Sequence, residues 1–176
     1  LESLRIYGHG KMNNYNTTSL PPWNAYSIYF NSILIEEDVE TIGDFAFINC
    51  SNVTTINIPK AVTTIGKGAF YGNSLYELNV DENNENFKSI EGILFSKNEN
   101  ELICYPSNYN STTYFVSNNI DIILDYAFMG SSKLESITFD GNLTSICNYA
   151  FYNCIKLNSL TYMGINEPTI SNSTFE

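Results

Sequence analysis

The chain has 176 residues, 43% of them hydrophobic and 15% charged, and its 8 Lys plus Arg against 19 Asp plus Glu leave a net charge of −11. That is enough apolar material for one continuous core, while the polar surface has to be built largely from Asn, Ser and Thr. The acidity serves solubility, excludes nucleic acid and anionic membrane surfaces as partners, and no apolar run approaches the ~18 residues of a membrane-spanning helix.

Taken in order, the chain opens on Leu1-Glu2-Ser3, which already reads as repeat, with neither an initiator Met nor a signal-peptide pattern. It is therefore expected to be a segment of a longer repeat protein, with any export signal outside it. Residues 1–36 form a divergent leading unit. After a strand ending at Ile6, Gly8-His9-Gly10-Lys11-Met12-Asn13-Asn14-Tyr15 and Leu20-Pro21-Pro22-Trp23 predict a long convex-side excursion pinned by Tyr15 and Trp23.

Residues 37–80 hold regular repeats. Thr54 to Ile58 alternates polar and apolar with β-branched residues, which predicts a strand with one buried face, ended by Pro59. Val62 and Ile65 lead to Gly66, where a Cβ would crowd a tight turn. Lys67 to Tyr71 predicts one short helical turn with Ala69 against a neighbouring coil and Phe70 in the core. The Ala-Phe pair at 46–47 returns at 69–70, and the pair at 127–128 returns at 150–151, both after 23 residues. A fixed period of this size is the mark of a solenoid, whose coils bury their apolar residues only by stacking.

Residues 81–116 make a longer unit. Phe87 to Phe95 and Glu101 to Pro106 are two β-rich runs around Ser96-Lys97-Asn98-Glu99-Asn100, which predicts a hairpin in place of one helical turn. Regular repeats return over 117–162, and 163–176 reads as the start of a further unit cut short. Using the strand's last core residue as a marker gives Ile6, Ile35, Ile58, Val80, Val116, Phe139 and Tyr162. The steps are 29, 23, 22, 36, 23 and 23, so the two irregular steps are the insertions.

The pattern Thr-Ile-Gly-x-x-Ala-Phe-x-x-Cys-x-x-Val-x-x-Ile-x-Ile-Pro over Thr41 to Pro59 resembles the BspA-like class of leucine-rich repeats, which has Leu where Val53 stands. The longer unit is similar too, through Asn84, Phe87, Ser89, Glu91, Gly92, Ile93, Leu94 and Phe95, then Leu102, Tyr105 and Pro106. Gly10, Met12, Tyr15 and Pro22-Trp23 resemble a leading unit of that class. Leu124 and Cys147 depart from the class preference for Gly, and Asn73 and Ser131 from its preference for Cys. The resemblance implies a repeat solenoid of stacked ~23-residue coils with a concave β-sheet, short helical turns and a convex-side hairpin insertion. It also implies a surface protein of bacteria or parasitic protists, linked to attachment.

Candidate chemistry is sparse. Cys50 and Cys154 share a repeat slot and should be buried free thiols, and four cysteines are too few for a disulfide scaffold. Cys147 and Cys154 match no zinc spacing. His9 is the single histidine, and no nucleophile elbow or triad accompanies it, so it reads as a turn residue and no enzyme is expected. Asp81-Glu82-Asn83-Asn84-Glu85-Asn86 begins like a calcium loop, but Asn86 and Gly92 stand where Gly and Glu are needed, so a polar turn is expected and no metal or cofactor. Acceptor triplets for N-glycosylation occur at Asn16, Asn49, Asn52, Asn110, Asn142 and Asn172, meaningful only for an exported eukaryotic protein. Asn49 is the one not expected to carry sugar.

The surface expected to bind is the concave sheet. Its exposed row is Arg5, Leu34, Asn57, Asn79, Phe115, Thr138 and Thr161, beside a row of Ser3, Thr55, Glu77, Ser136 and Ser159. Such rows suit a protein or glycan and offer no deep apolar pocket; the alternative is a face that is merely solvated. The expectation is a monomeric, adhesin-like module, secreted or at the cell surface, that binds protein or glycan on a host cell or in the extracellular matrix. Its rival is a structural spacer without a ligand.

Overall fold

In the computed structural model of the chain, which describes residues 2–141 and 143–176, each coil starts with a four-residue strand whose alternate side chains face inward. Period-two sequences such as Thr55-Ile56-Asn57-Ile58 dictate this, since successive side chains of a strand point to opposite faces. The series comprises β1 (Ser3–Ile6), β2 (Ser32–Ile35), β4 (Thr55–Ile58), β6 (Glu77–Val80), β10 (Thr113–Val116), β12 (Ser136–Phe139) and β14 (Ser159–Tyr162). Pairing is parallel and in register: β1 with β2, β4 with β6, and β12 between β10 and β14.

A second ribbon is made of two-residue strands: β3 (Thr41–Ile42), β5 (Thr64–Ile65), β11 (Ile122–Ile123), β13 (Ser145–Ile146) and β15 (Thr169–Ile170). Glycine at the exit of β3 and β5 is required by the stacking. A Cβ on Gly66 would lie 2.3 Å from the backbone nitrogen of Asp44, and one on Gly43 would lie 2.1 Å from the carbonyl oxygen of Asn13.

The turn expected over Lys67 to Tyr71 is present in every regular coil, but not as a stretch of helix. The residue before Ala and the residue three after it are left-handed: Phe45 and Asn49, Gly68 and Gly72, Tyr126 and Gly130, Tyr149 and Asn153. Left-handed residues break the helical path, and the N–H groups then serve two purposes in alternation. Those of Ala46, Ile48 and Cys50 close three-residue turns within the coil, while those of Phe45, Phe47 and Asn49 donate at 2.8–3.1 Å to Lys67, Ala69 and Tyr71 of the next coil. Tyr126, Phe128 and Gly130 do the same to Asn148, Ala150 and Tyr152. The turns therefore form a third inter-coil ladder. A 3-10 helix, Asn24–Tyr29, lies in the leading unit.

The insertion is a three-stranded antiparallel meander, one strand more than the hairpin the sequence predicts. The run from Phe87 is split by Glu91 and Gly92, both left-handed (φ 52° and 79°), into β7 (Phe87–Ile90) and β8 (Ile93–Ser96), joined by the two-residue turn that suits tight hairpins. β9 (Glu101–Cys104) pairs with β8 and then continues into the short-strand ribbon through β11. The tip reaches β6, where Leu78 N–H donates to Gly92 O at 2.8 Å. Lys88 and Glu99 are ion-paired on the meander.

The core falls into two clusters that meet at this meander. Phe47, Ile56, Leu78 and Leu94 belong to the first, and Ile93, Phe95, Phe128 and Ile137 to the second. β8 is thus a partition, with Leu94 facing one core and its neighbours Ile93 and Phe95 the other. Ala46, Phe47, Ala127, Phe128 and Ala150 are completely buried. The slot four residues after Ala46, Ala69, Ala127 and Ala150 is filled by Cys50, Asn73, Ser131 and Cys154. Ser131 satisfies its hydroxyl by donating to Phe128 O at 2.6 Å, whereas both amide atoms of buried Asn73 lack a partner. Asn73→Cys should therefore raise stability by about 1–2 kcal/mol, the penalty of a buried unpaired polar group. Urea unfolding reads this directly, and a loss of stability would show that the amide contributes.

Candidate functional site: the concave face

The register of the strands determines which side chains share the concave surface. Arg5 lies beside Leu34, Asn57 beside Asn79, and Phe115 beside Thr138 and then Thr161. The adjoining row aligns Thr55 with Glu77 and Ser136 with Ser159; Ser3 stands opposite Ser32, and Thr113 opposite Ser136. Ser32 and Thr113 thus belong to this row although sequence reasoning passed over them; counting two residues back from Leu34 and Phe115 would have found them. Thr55, Ser136 and Thr138 are half-buried and the other residues of both rows are exposed.

The two rows are not continuous. The meander tip sits beside Glu77, so close that a Cβ on Gly92 would come within 2.7 Å of the Glu77 Cβ. It divides the surface into a patch over β1, β2, β4 and β6 and another over β10, β12 and β14. The first patch is held by polar pairs. Asn79 donates to both Asn57 and Glu77 at 3.3 Å, and Arg5 donates to Glu36 at 2.6 Å. The Arg5 cation is thereby matched, and its guanidinium also lies 5.8 Å from the Tyr7 ring centre. Leu34 and Phe115, 51% and 55% exposed, are the apolar anchors of the two patches. Large apolar side chains left in solvent on an otherwise polar row are what a partner would cover.

The remaining sequence candidates are placed elsewhere. His9 is exposed, with Nε2 3.4 Å from an Asp38 carboxylate oxygen. None of the four cysteines is bridged. Cys50 is fully buried and Cys154 is half-buried, because Cys154 belongs to the last regular coil and has less stacked upon it. The Cys154 thiol donates to Phe128 O at 3.0 Å. Burial pushes the thiols of Cys50 and Cys154 up to about 11 and that of Cys104 up to about 12, so all three are protonated and poorly nucleophilic at neutral pH. Among the described residues no group of three or more His, Cys, Asp or Glu could hold a metal ion.

The Asp81 to Asn86 segment uses its oxygens internally. Asp81 accepts from Asn83 N–H at 2.8 Å, and buried Asn84 accepts from Asn86 and Phe87 N–H while donating to Pro59 O and Val62 O. Asn84 therefore ties the longer unit to the coil before it. Asn16, Asn49, Asn52, Asn110 and Asn172 are exposed, and Asn142 lies outside the described residues. Tyr15 and Trp23 meet edge to face at 5.7 Å, and the Trp23 indole donates to Ala46 O at 2.8 Å, so the leading excursion is anchored on the first turn of the stack.

The model of the BspA type leucine rich repeat region matches the chain in 6 copies, over residues 24–115 and 102–176. The chain belongs to the BspA-type leucine-rich repeat family. No curated protein matches it. Among solved structures, the pneumococcal vaccine antigen PcpA is 32% identical over 76% of this chain and 34% of its own, with a TM-score of 0.72. A leucine rich cell surface protein of Faecalibacterium prausnitzii is 22% identical over 99% of this chain and 51% of its own, with a TM-score of 0.76, and shares the fold. This BspA-type chain therefore spans about a third of the first of these structures and about half of the second. Among the described residues no helix is long and apolar enough to cross a membrane.

Proposed function

We propose that this BspA-type chain is the interaction module of an extracellular or cell-surface repeat protein, adhesin-like and without enzymatic activity or cofactor. It would bind a protein or glycan of a host cell or matrix through the concave face. The observation that carries this reading is the alignment of two rows of hydrogen-bonding side chains, uncharged except for Arg5 and Glu77, with Leu34 and Phe115 left exposed among them. Rows spaced by parallel strands present donors and acceptors at a regular interval, which suits an extended partner better than a small molecule. Kinship with a pneumococcal vaccine antigen supports a location outside the cell.

Immobilised protein should capture extracellular-matrix proteins or host cells. The double substitution Asn57→Lys with Thr138→Lys, one on each patch, should weaken capture at least about tenfold, or roughly 1.4 kcal/mol. Circular dichroism would check that the solenoid is retained. Absence of capture, or capture that survives both charges, would sink the concave-face reading and leave a spacer that holds other domains at a distance.

A further inference from the structure

The coil that carries the meander is short at its convex corner. Leu102 is in register with Ile123, and Tyr105 N–H donates to Ala127 O just as Phe128 N–H donates to Ala150 O. Tyr105 therefore fills the Phe128 slot, yet only two residues separate it from Leu102, where four separate Phe128 from Ile123. The corner made by Gly66-Lys67-Gly68 in one coil and Leu124-Asp125-Tyr126 in another has no counterpart between them. A cavity of about 330 Å³ occupies that space.

Its walls are apolar. Phe70 and Leu75 come from the preceding coil, Ile103 from the short one, and Leu124 and Met129 from the following one. The stack of core rings is interrupted here. Phe47 and Phe70 pair at 6.3 Å, and Tyr105, Phe128, Phe151 and Phe175 continue at 5.0–5.4 Å. Among the described residues no ring contact joins Phe70 to Tyr105. On the rim, Phe45 reaches over Gly68 to meet Tyr126 edge to face at 5.3 Å, closing across the missing corner. The mouth is polar but carries no ion pair between Lys67 and Asp125. One Asp125 oxygen is already taken by Asn148 N–H at 2.8 Å.

We propose that this cavity is a ligand site for an uncharged aromatic compound of one or two fused rings. Size favours this, because a dry apolar void of about 150 Å³ already accepts benzene and small-molecule sites begin near 300 Å³. Wall chemistry favours it as well: a flat ring would restore the dispersion contacts that the gap denies Phe70 and Leu124. An anion is disfavoured by Asp125 and the net charge of −11, and a cation would find a single lining carboxylate, Asp125, one of whose oxygens already accepts from Asn148. The site is separate from the concave face and does not rest on the binding role assigned to that surface.

Indole is the probe, and the three methionine methyl groups are the readout. In a ¹³C-methyl NMR titration of the intact chain, indole should shift the Met129 signal saturably and leave those of Met12 and Met163 in place. Leu124→Trp, which fills the cavity, should weaken binding at least about tenfold, and Leu124→Ala should preserve it. Cys147→Phe fills the same space from the next coil and stands in if Leu124→Trp fails to fold. A silent Met129 at the solubility limit of indole would overturn the proposal, as would parallel shifts of all three methyls or unchanged binding by a folded filled variant.

Discussion

Phe128→Ala should destabilise the protein by about 3–5 kcal/mol, the range for deleting a large buried aromatic. The ring is completely buried, stacked between Tyr105 at 5.0 Å and Phe151 at 5.2 Å, with Tyr114 at 5.9 Å. Three neighbours from three coils would lose contacts, and none can collapse into the hole without leaving its own slot. Phe70→Ala should fall at the lower end of the same range of about 3–5 kcal/mol. Phe70 has one ring neighbour, Phe47, and its other side faces a cavity already present. Urea unfolding of both variants tests the ranking. Equal losses, or a Phe128→Ala loss below about 1 kcal/mol, would contradict the packing described.

Gly66→Ala should cost about 3 kcal/mol or more, at the upper end of overpacking, because the added methyl meets backbone rather than a side chain that can turn aside. The Cβ would stand 2.3 Å from Asp44 N and 2.6 Å from Gly43 C, so two coils must separate to admit it. The conformation at Gly66 is not left-handed, and the demand is purely one of space. This explains why Leu124, at the equivalent position of a later coil, is tolerated. The coil before it lacks the corner, and the Leu124 side chain lines the cavity left there, so the room denied to residue 66 exists for it. A Gly66→Ala variant with wild-type stability would show that the coils are not in contact at this point.

Much of this was legible in the sequence, for physical reasons. The 23-residue period exists because every regular coil needs the same small residue and the same ring at its buried corner, and Ala46-Phe47 and Ala127-Phe128 are that corner. The concave rows were equally readable, since alternation along a strand is obligatory. The turn was harder. Phe45, Tyr126 and Tyr149 adopt left-handed backbone without being glycine, and side chains of this kind give no local signal for it. Their conformation is imposed by hydrogen bonds to the next coil, which a single repeat does not contain. The split of Phe87 to Phe95 was available in the Glu91-Gly92 pair, but a continuous β-rich run masked it. The cavity was hidden because it arises from residues that are missing, visible only when Leu102 is aligned with Ile123. The partner remains unwritten, since rows of Asn, Ser and Thr can satisfy many different surfaces.

The partition formed by β8 has a consequence for cooperativity. In a linear array, how far one unfolding event propagates is governed by the weakest junction between neighbouring units. Here that junction is a single strand whose side chains are divided between two cores, with an under-packed space beside it. Under load the chain should therefore act as two springs in series, with compliance along the solenoid axis concentrated at the meander.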